Sequence, residues 1–144
     1  MTGRDRVDAL YREVVLEHYR HPRGREPLSD PERSALVDNP VCGDQVKVEV
    51  SLADGRVHEV SARARGCAIA VAAASVMTEL VPGLDREGCA QLEQRLDALL
   101  GGEAPHPSLD PRLAAFERIA ELPSRRRCAL LPWEALRELW SGGS

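Results

Sequence analysis

From Gln45 to Leu52 apolar and polar residues alternate, with Val46, Val48 and Val50 on one face and Lys47 and Glu49 on the other. A period of two belongs to a strand with one buried face, because successive side chains point to opposite sides. The chain then turns through "ADG" into a second strand near Arg56–Arg65. A two-residue loop at Asp54-Gly55 would set Val50 opposite Glu59. A three-residue loop pairs Val48 with Val60 and keeps apolar faces together, so that register is expected.

Helical signals surround this hairpin. From Asp8 to about Tyr19 the chain reads as an amphipathic helix, with Leu10, Val14 and then Val15 or Leu16 on one stripe. "HPRGREPLSDPERSALVDNP" is rich in proline and turn residues and reads as an extended connection. Gly66 breaks the second strand, and Ala68–Leu80 is an alanine-rich helix closed by "VPG". Asp85 caps a helix running to Leu100. Asp110-Pro111 opens another, with Leu113, Phe116 and Ile119 inward, which Pro123 ends. "SRRRCALLP" reads as a basic loop, and Pro132 as the start of a last helix carrying Trp133, Leu136 and Trp140. The expected class is α+β: one domain over 1–144, with a small antiparallel sheet of about three strands packed against helices.

Composition narrows the function. Hydrophobic residues make up 43% of the 144 but aromatics only 3%, so the core must come from Leu, Val, Ala and Ile. Lys and Arg number 19 against 23 Asp and Glu, a net charge of −4. Neither the charge nor the aromatic content suits nucleic-acid binding. The charged N-terminus lacks a signal-peptide core, and "CAIAVAAASVM" is too short to span a bilayer. A soluble, cytoplasmic protein is expected, with cysteines reduced.

Four cysteines stand at irregular spacings without a CxxC pair. Cys42 lies in a loop before the first strand of the hairpin, with Asp44 two residues on. Cys67 falls at a strand-to-helix junction, where free N–H groups and the helix dipole favour a thiolate. Cys128 follows Arg125, Arg126 and Arg127, whose charge also favours deprotonation. Cys89, with Leu92, Leu96 and Leu99, keeps the spacing of a buried helical stripe and reads as core. Cys67 reads equally well as packing beside an alanine-rich helix, Asp44 as a residue bonding its own turn, and the arginine run as a solvated face. A Cys3Asp tetrahedron would suit zinc, but spacing alone does not close it. His18, His21, His58 and His106 form no pair at ligand spacing.

"LYREVVLEHYRHPRG", "DNPVCGD", "GCAIAVAAASVMTELVPG" and "LPSRRRCALLPWEAL", in this order, give the chain a second reading. Over nearly its full length it resembles the SufU branch of the SufU/IscU iron–sulfur assembly proteins. The resemblance implies one metal site formed by Cys42, Asp44, Cys67 and Cys128, and it leaves Cys89 out. It implies bound zinc and a protein that accepts sulfur from a SufS-type cysteine desulfurase. Cys42, in the most exposed of the three loops and flanked by Gly43, is the expected acceptor. Arg125 matches an arginine of the SufU pattern and would position the acceptor loop or dock the desulfurase; its other reading is a surface charge. IscU-like chains carry a histidine where this one has Arg127, and SufU-like chains carry an insertion that the Leu84–Pro107 region resembles. Where SufU relatives are serine-rich, this chain has Ala68, Ala70 and Ala73, with Ser75 remaining. Two other readings stay open: a scaffold assembling a [2Fe–2S] cluster from iron and sulfur on the same ligands for downstream assembly proteins, and a structural zinc module that docks a partner.

Overall fold

The valine alternation becomes the middle strand of a three-stranded antiparallel sheet of order β1-β2-β3. Its strands are β1 (Arg33–Asn39), β2 (Asp44–Ala53) and β3 (Arg56–Arg65). The computed structural model describes residues 2–41 and 43–142. Val46, Val48 and Val50 are fully buried on the inner face, as the period of two requires. Five helices accompany the sheet among the described residues. The first, α1, covers 3–20, and α2 (Ala68–Leu80) and α3 (Arg86–Leu100) follow the sheet. Next come α4 (Pro111–Ala114), which tightens into a 3₁₀ stretch over Ala115–Glu121, and α5 (Arg126–Gly142).

The hairpin register differs from the expected one. Ala53 pairs with Arg56 around a two-residue Asp54-Gly55 turn, yet Val50 faces Val60 and Val48 faces Ala62. Both residues of the turn have positive φ, 54° and 75°, the tight hairpin geometry that Asp-Gly favours. A bulge reconciles the two demands. Ser51 pairs with Glu59 and Leu52 with Val57, so His58 is the extra residue and the apolar face is restored above it.

The connection after α1 crosses the outer face of the sheet before it pairs as β1. Ala62 N–H donates to the Gly24 carbonyl (2.8 Å), and Leu28 N–H to Glu49 Oε1 (3.3 Å). Glu49 and Ser61 are thereby covered and buried.

The helix α1 begins earlier than its apolar stripe suggests, because Thr2 and Asp5 form a reciprocal capping box. A π-helical turn at Tyr11–Leu16 lies within it, and of the two alternatives on the stripe Val15 is the buried one, at 1% exposed.

The chain around Cys128 is not a loop. A 3₁₀ turn at Pro123–Arg125 leads directly into α5, so Pro132 lies inside the helix rather than at its start. Proline there removes one ladder hydrogen bond and disfavours the helix locally. Burial decides the matter: Cys128, Ala129, Leu131, Trp133, Ala135, Leu136 and Leu139 form one continuous inward face.

The helix α2 is enclosed almost all round, with every residue from Ala72 to Thr78 buried. Its alanines are the small side chains that let it lie close on β3 and α5. No helix among the described residues is long and apolar enough to cross a membrane.

Candidate metal centre

Three elements meet at one end of the sheet. Asp44 opens β2, Cys67 is the N-cap residue of α2, and Cys128 stands in the first turn of α5. One ligand atom from each lies within 4.8 Å of the other two. Four donors around a zinc ion with bonds of about 2.3 Å sit about 3.8 Å apart, so these three can share one ion.

Close contacts hold the cluster. Asp44 Oδ1 accepts the Cys67 N–H at 3.0 Å, and the Cys67 thiol donates to Asp44 Oδ2 at 3.4 Å. Asp44 is 2% exposed and Cys128 1%, while Cys67 is half-buried. Gly66 makes the approach possible. Its φ is +138°, and a Cβ there would fall 1.9 Å from Asp44 Oδ1. Burial pushes the Cys128 thiol far above its usual range, reinforced by Asp44 and Cys67 beside it. A bound divalent cation beside these groups would favour the ionised Cys128 that burial resists. The donor set fits a thiolate-seeking metal.

Arg125 lies against the same cluster: the Cys128 and Cys67 sulfurs raise its pKa above the ordinary value. The arginine run therefore divides. Arg125 faces the sulfurs, Arg126 bonds the Asp97 carbonyl and carboxylate on α3, and Arg127 pairs with Glu134 Oε2 at 3.3 Å.

Cys42 lies outside the described residues. Its neighbours are tied to Asn39, which is 6% exposed: Gly43 N–H donates to the Asn39 carbonyl (2.7 Å) and Val41 N–H to its Oδ1 (3.1 Å). Val41 itself is 93% exposed. Cys89 is 3% exposed among the leucines of α3, and burial pushes its thiol up to about 11. That is the chemistry of a packed thiol.

The sequence reading passed over His18, which is 5% exposed. Its Nδ1 shares a 2.7 Å hydrogen bond with Ser75 Oγ, its Nε2 lies 3.4 Å from Glu79, and Ser75 Oγ also accepts the Arg23 N–H (2.8 Å). Ser75 thus joins α1 to α2 and takes no part in the cluster. The available signal was His18's place three residues after Val15, on the buried stripe.

Comparison with known proteins places this arrangement. The NifU-like N-terminal domain model matches residues 10–129. The chain belongs to that family. It is 33% identical over 135 residues to the zinc-dependent sulfurtransferase SufU of Bacillus subtilis (strain 168), covering 92% of this chain and 90% of that one. It is 28% identical to the iron–sulfur cluster assembly scaffold protein IscU of Streptococcus pyogenes serotype M1, over 92% and 84% of the two chains. A putative iron–sulfur cluster assembly scaffold protein for the SUF system, from Fervidobacterium islandicum AW-1, shares the fold with a TM-score of 0.82. Its identity is 21%, over 91% of this chain and 96% of that one. Asp44, Cys67 and Cys128 all fall within the matched family region, as do Cys42 and Arg125.

Proposed function

We propose that this NifU-like protein is a zinc-dependent sulfur acceptor acting with a SufS-type cysteine desulfurase in iron–sulfur cluster assembly. The observation that carries the reading is the convergence of Asp44, Cys67 and Cys128 onto one point, with Cys42 two residues ahead of Asp44 in the chain. In this reading Cys42 is the fourth ligand and the acceptor. Its flanks suit an encounter with another protein: Val41 is exposed, and Gly43 has a φ of +79° with open space where a side chain would stand. Zinc, when bound, would keep the cysteines as thiolates and would add no redox chemistry of its own.

In the transfer, the Cys42 thiolate attacks the outer sulfur of the desulfurase persulfide. A new S–S bond forms at Cys42 as the donor's S–S bond breaks, and the donor cysteine leaves as a thiolate. No electron acceptor is needed. Arg125 holds positive charge beside the sulfurs, where thiolates must persist. The one domain, 1–144, would do this in the cytoplasm and pass sulfur to downstream assembly proteins. Similarity to a SufU supports the reading, as does the Arg127–Glu134 ion pair, which leaves this position without a metal-binding imidazole.

Desulfurase turnover measured with zinc-loaded protein, chelated protein and the Cys42→Ala variant tests the proposal. Stimulation by the zinc-loaded wild type alone, with one sulfur added at Cys42 by mass spectrometry, is expected. Full stimulation by Cys42→Ala would refute it.

A further inference from the structure

The outer face of the sheet is covered over only part of its length. The connection after α1 seals Glu49 and Ser61, but the half nearest the metal cluster stays open. Gln45, Lys47, Arg63 and Arg65 project there from neighbouring positions, since Gln45 pairs with Arg65 and Lys47 with Arg63. Leu36, opposite Lys47 on β1, is 61% exposed, and Arg25 borders the same depression, whose volume is about 430 Å³.

The charge of this face runs against that of the molecule. The chain carries a net −4, yet four cations gather here. Arg63 is engaged by Glu49 at 3.3 Å, while Arg25, Lys47 and Arg65 have no ion-pair partner among the described residues. Asp38 stands at the edge of this face, opposite Gln45. Cations held together without counter-charges repel one another, and an acidic surface laid over them removes that cost. Leu36 supplies an apolar contact in their midst.

Position selects the occupant. Gln45 adjoins Asp44, and Arg65 is two residues before Cys67, so the cations lie at the same end of the sheet as the metal cluster, with Asp44 turned to the inner face and Gln45 to the outer one. A protein that reaches the cluster around this end of the sheet comes to lie beside the cations. We infer that the open half of the outer sheet face docks an acidic patch of the sulfur-donating desulfurase, with Lys47 and Arg65 as the main electrostatic contacts and Leu36 as the apolar one. The inference rests on the sulfur-acceptor reading above.

The test is desulfurase turnover against concentration of the wild type, Lys47→Glu, and Lys47→Glu/Arg65→Glu, each checked for zinc content. An Arg6→Glu/Arg12→Glu control reverses two exposed charges on α1. The double variant should raise the half-saturating concentration about tenfold with maximal stimulation retained, and its response to added salt should flatten. Lys47→Glu should move the same way by a smaller factor, and the control should not move.

Calorimetric binding of the desulfurase to the Cys42→Ala chain, with and without the charge reversals, separates the two proposals. Binding that stays charge-sensitive supports the docking face even if Cys42 proves not to be the acceptor. Unchanged half-saturation in zinc-replete variants overturns the docking face and leaves the acceptor reading intact. No stimulation and no binding by the wild type overturns both.

Discussion

At Gly66 any side chain and the Asp44 carboxylate would compete for the same space. A Cβ at this position would overlap the Asp44 carboxylate, and the φ of +138° lies where side-chain-bearing residues are strained. Gly66→Ala should therefore displace Asp44 from the Cys67 N–H, lower zinc occupancy and cost on the order of 1–3 kcal/mol in urea unfolding. Full zinc content in that variant would show that the gap does not place the carboxylate. Asn39 works on the other flank, holding Val41 and Gly43 through its Oδ1 and its carbonyl. Asn39→Ala removes the side-chain acceptor and should cost about 1 kcal/mol while weakening zinc retention in a chelator competition. An unchanged competition curve would assign Asn39 to folding alone.

Among the elements, the helices whose ends carry their own signals were the legible ones. Ala68–Leu80 and the helix capped by Asp85 stand where sequence places them, because Gly66, Asp85 and Gly101 act locally. The misses share a different cause. Pro132 reads as a helix start until the burial of Cys128, Ala129 and Leu131 is known, and that burial is tertiary. The hairpin register followed a correct demand, apolar opposite apolar, but a bulge at His58 met it without lengthening the turn. β1 lay hidden in a proline-rich connection since its pairing partner, β2, is what makes it a strand. Asp44, Cys67 and Cys128 were legible as residues, whereas their convergence depends on all three elements. His18 was missed because a histidine on an apolar stripe shows its partner only in three dimensions. That partner has a consequence at the α1–α2 contact. Burial lowers the His18 pKa, helped by Arg23 and Arg112, against the opposing pull of Glu79 and Glu17. A depressed folded pKa means the unfolded chain binds the proton more readily. The neutral ring's contribution is then complete above about pH 6.5, the ordinary histidine value, and is lost as pH falls through the folded value. Thermal midpoints should fall over that acid range, and His18→Gln should flatten the fall; an unaltered slope would place the titration elsewhere.

Across the whole molecule, the candidate metal site is where the sheet and the two most buried helices are tied together. Asp44, Cys67 and Cys128 come from β2, α2 and α5, so an ion held by all three links segments distant in sequence. Binding to the folded chain alone adds RT ln(1 + [L]/Kd), about 4 kcal/mol at a thousandfold excess over Kd. For a chain of this size that corresponds to a Tm shift on the order of 10 °C. Chelation should lower Tm by roughly that amount. Hydrogen exchange locates the loss: protection should fall at the start of β2 and in the first turns of α2 and α5. The capped start of α1, held by Thr2 and Asp5, lies apart from the three linked elements and should keep its own exchange rate. Cys128→Ser should start near the chelated Tm and respond little to added zinc, since a serine hydroxyl is a poor substitute for a thiolate. A zinc-dependent Tm rise of wild-type size in Cys128→Ser would show that the stabilising ion sits elsewhere. A fall in protection spread evenly over α1 would show that the ion stabilises the chain as a whole and does not act through the junction of these three elements.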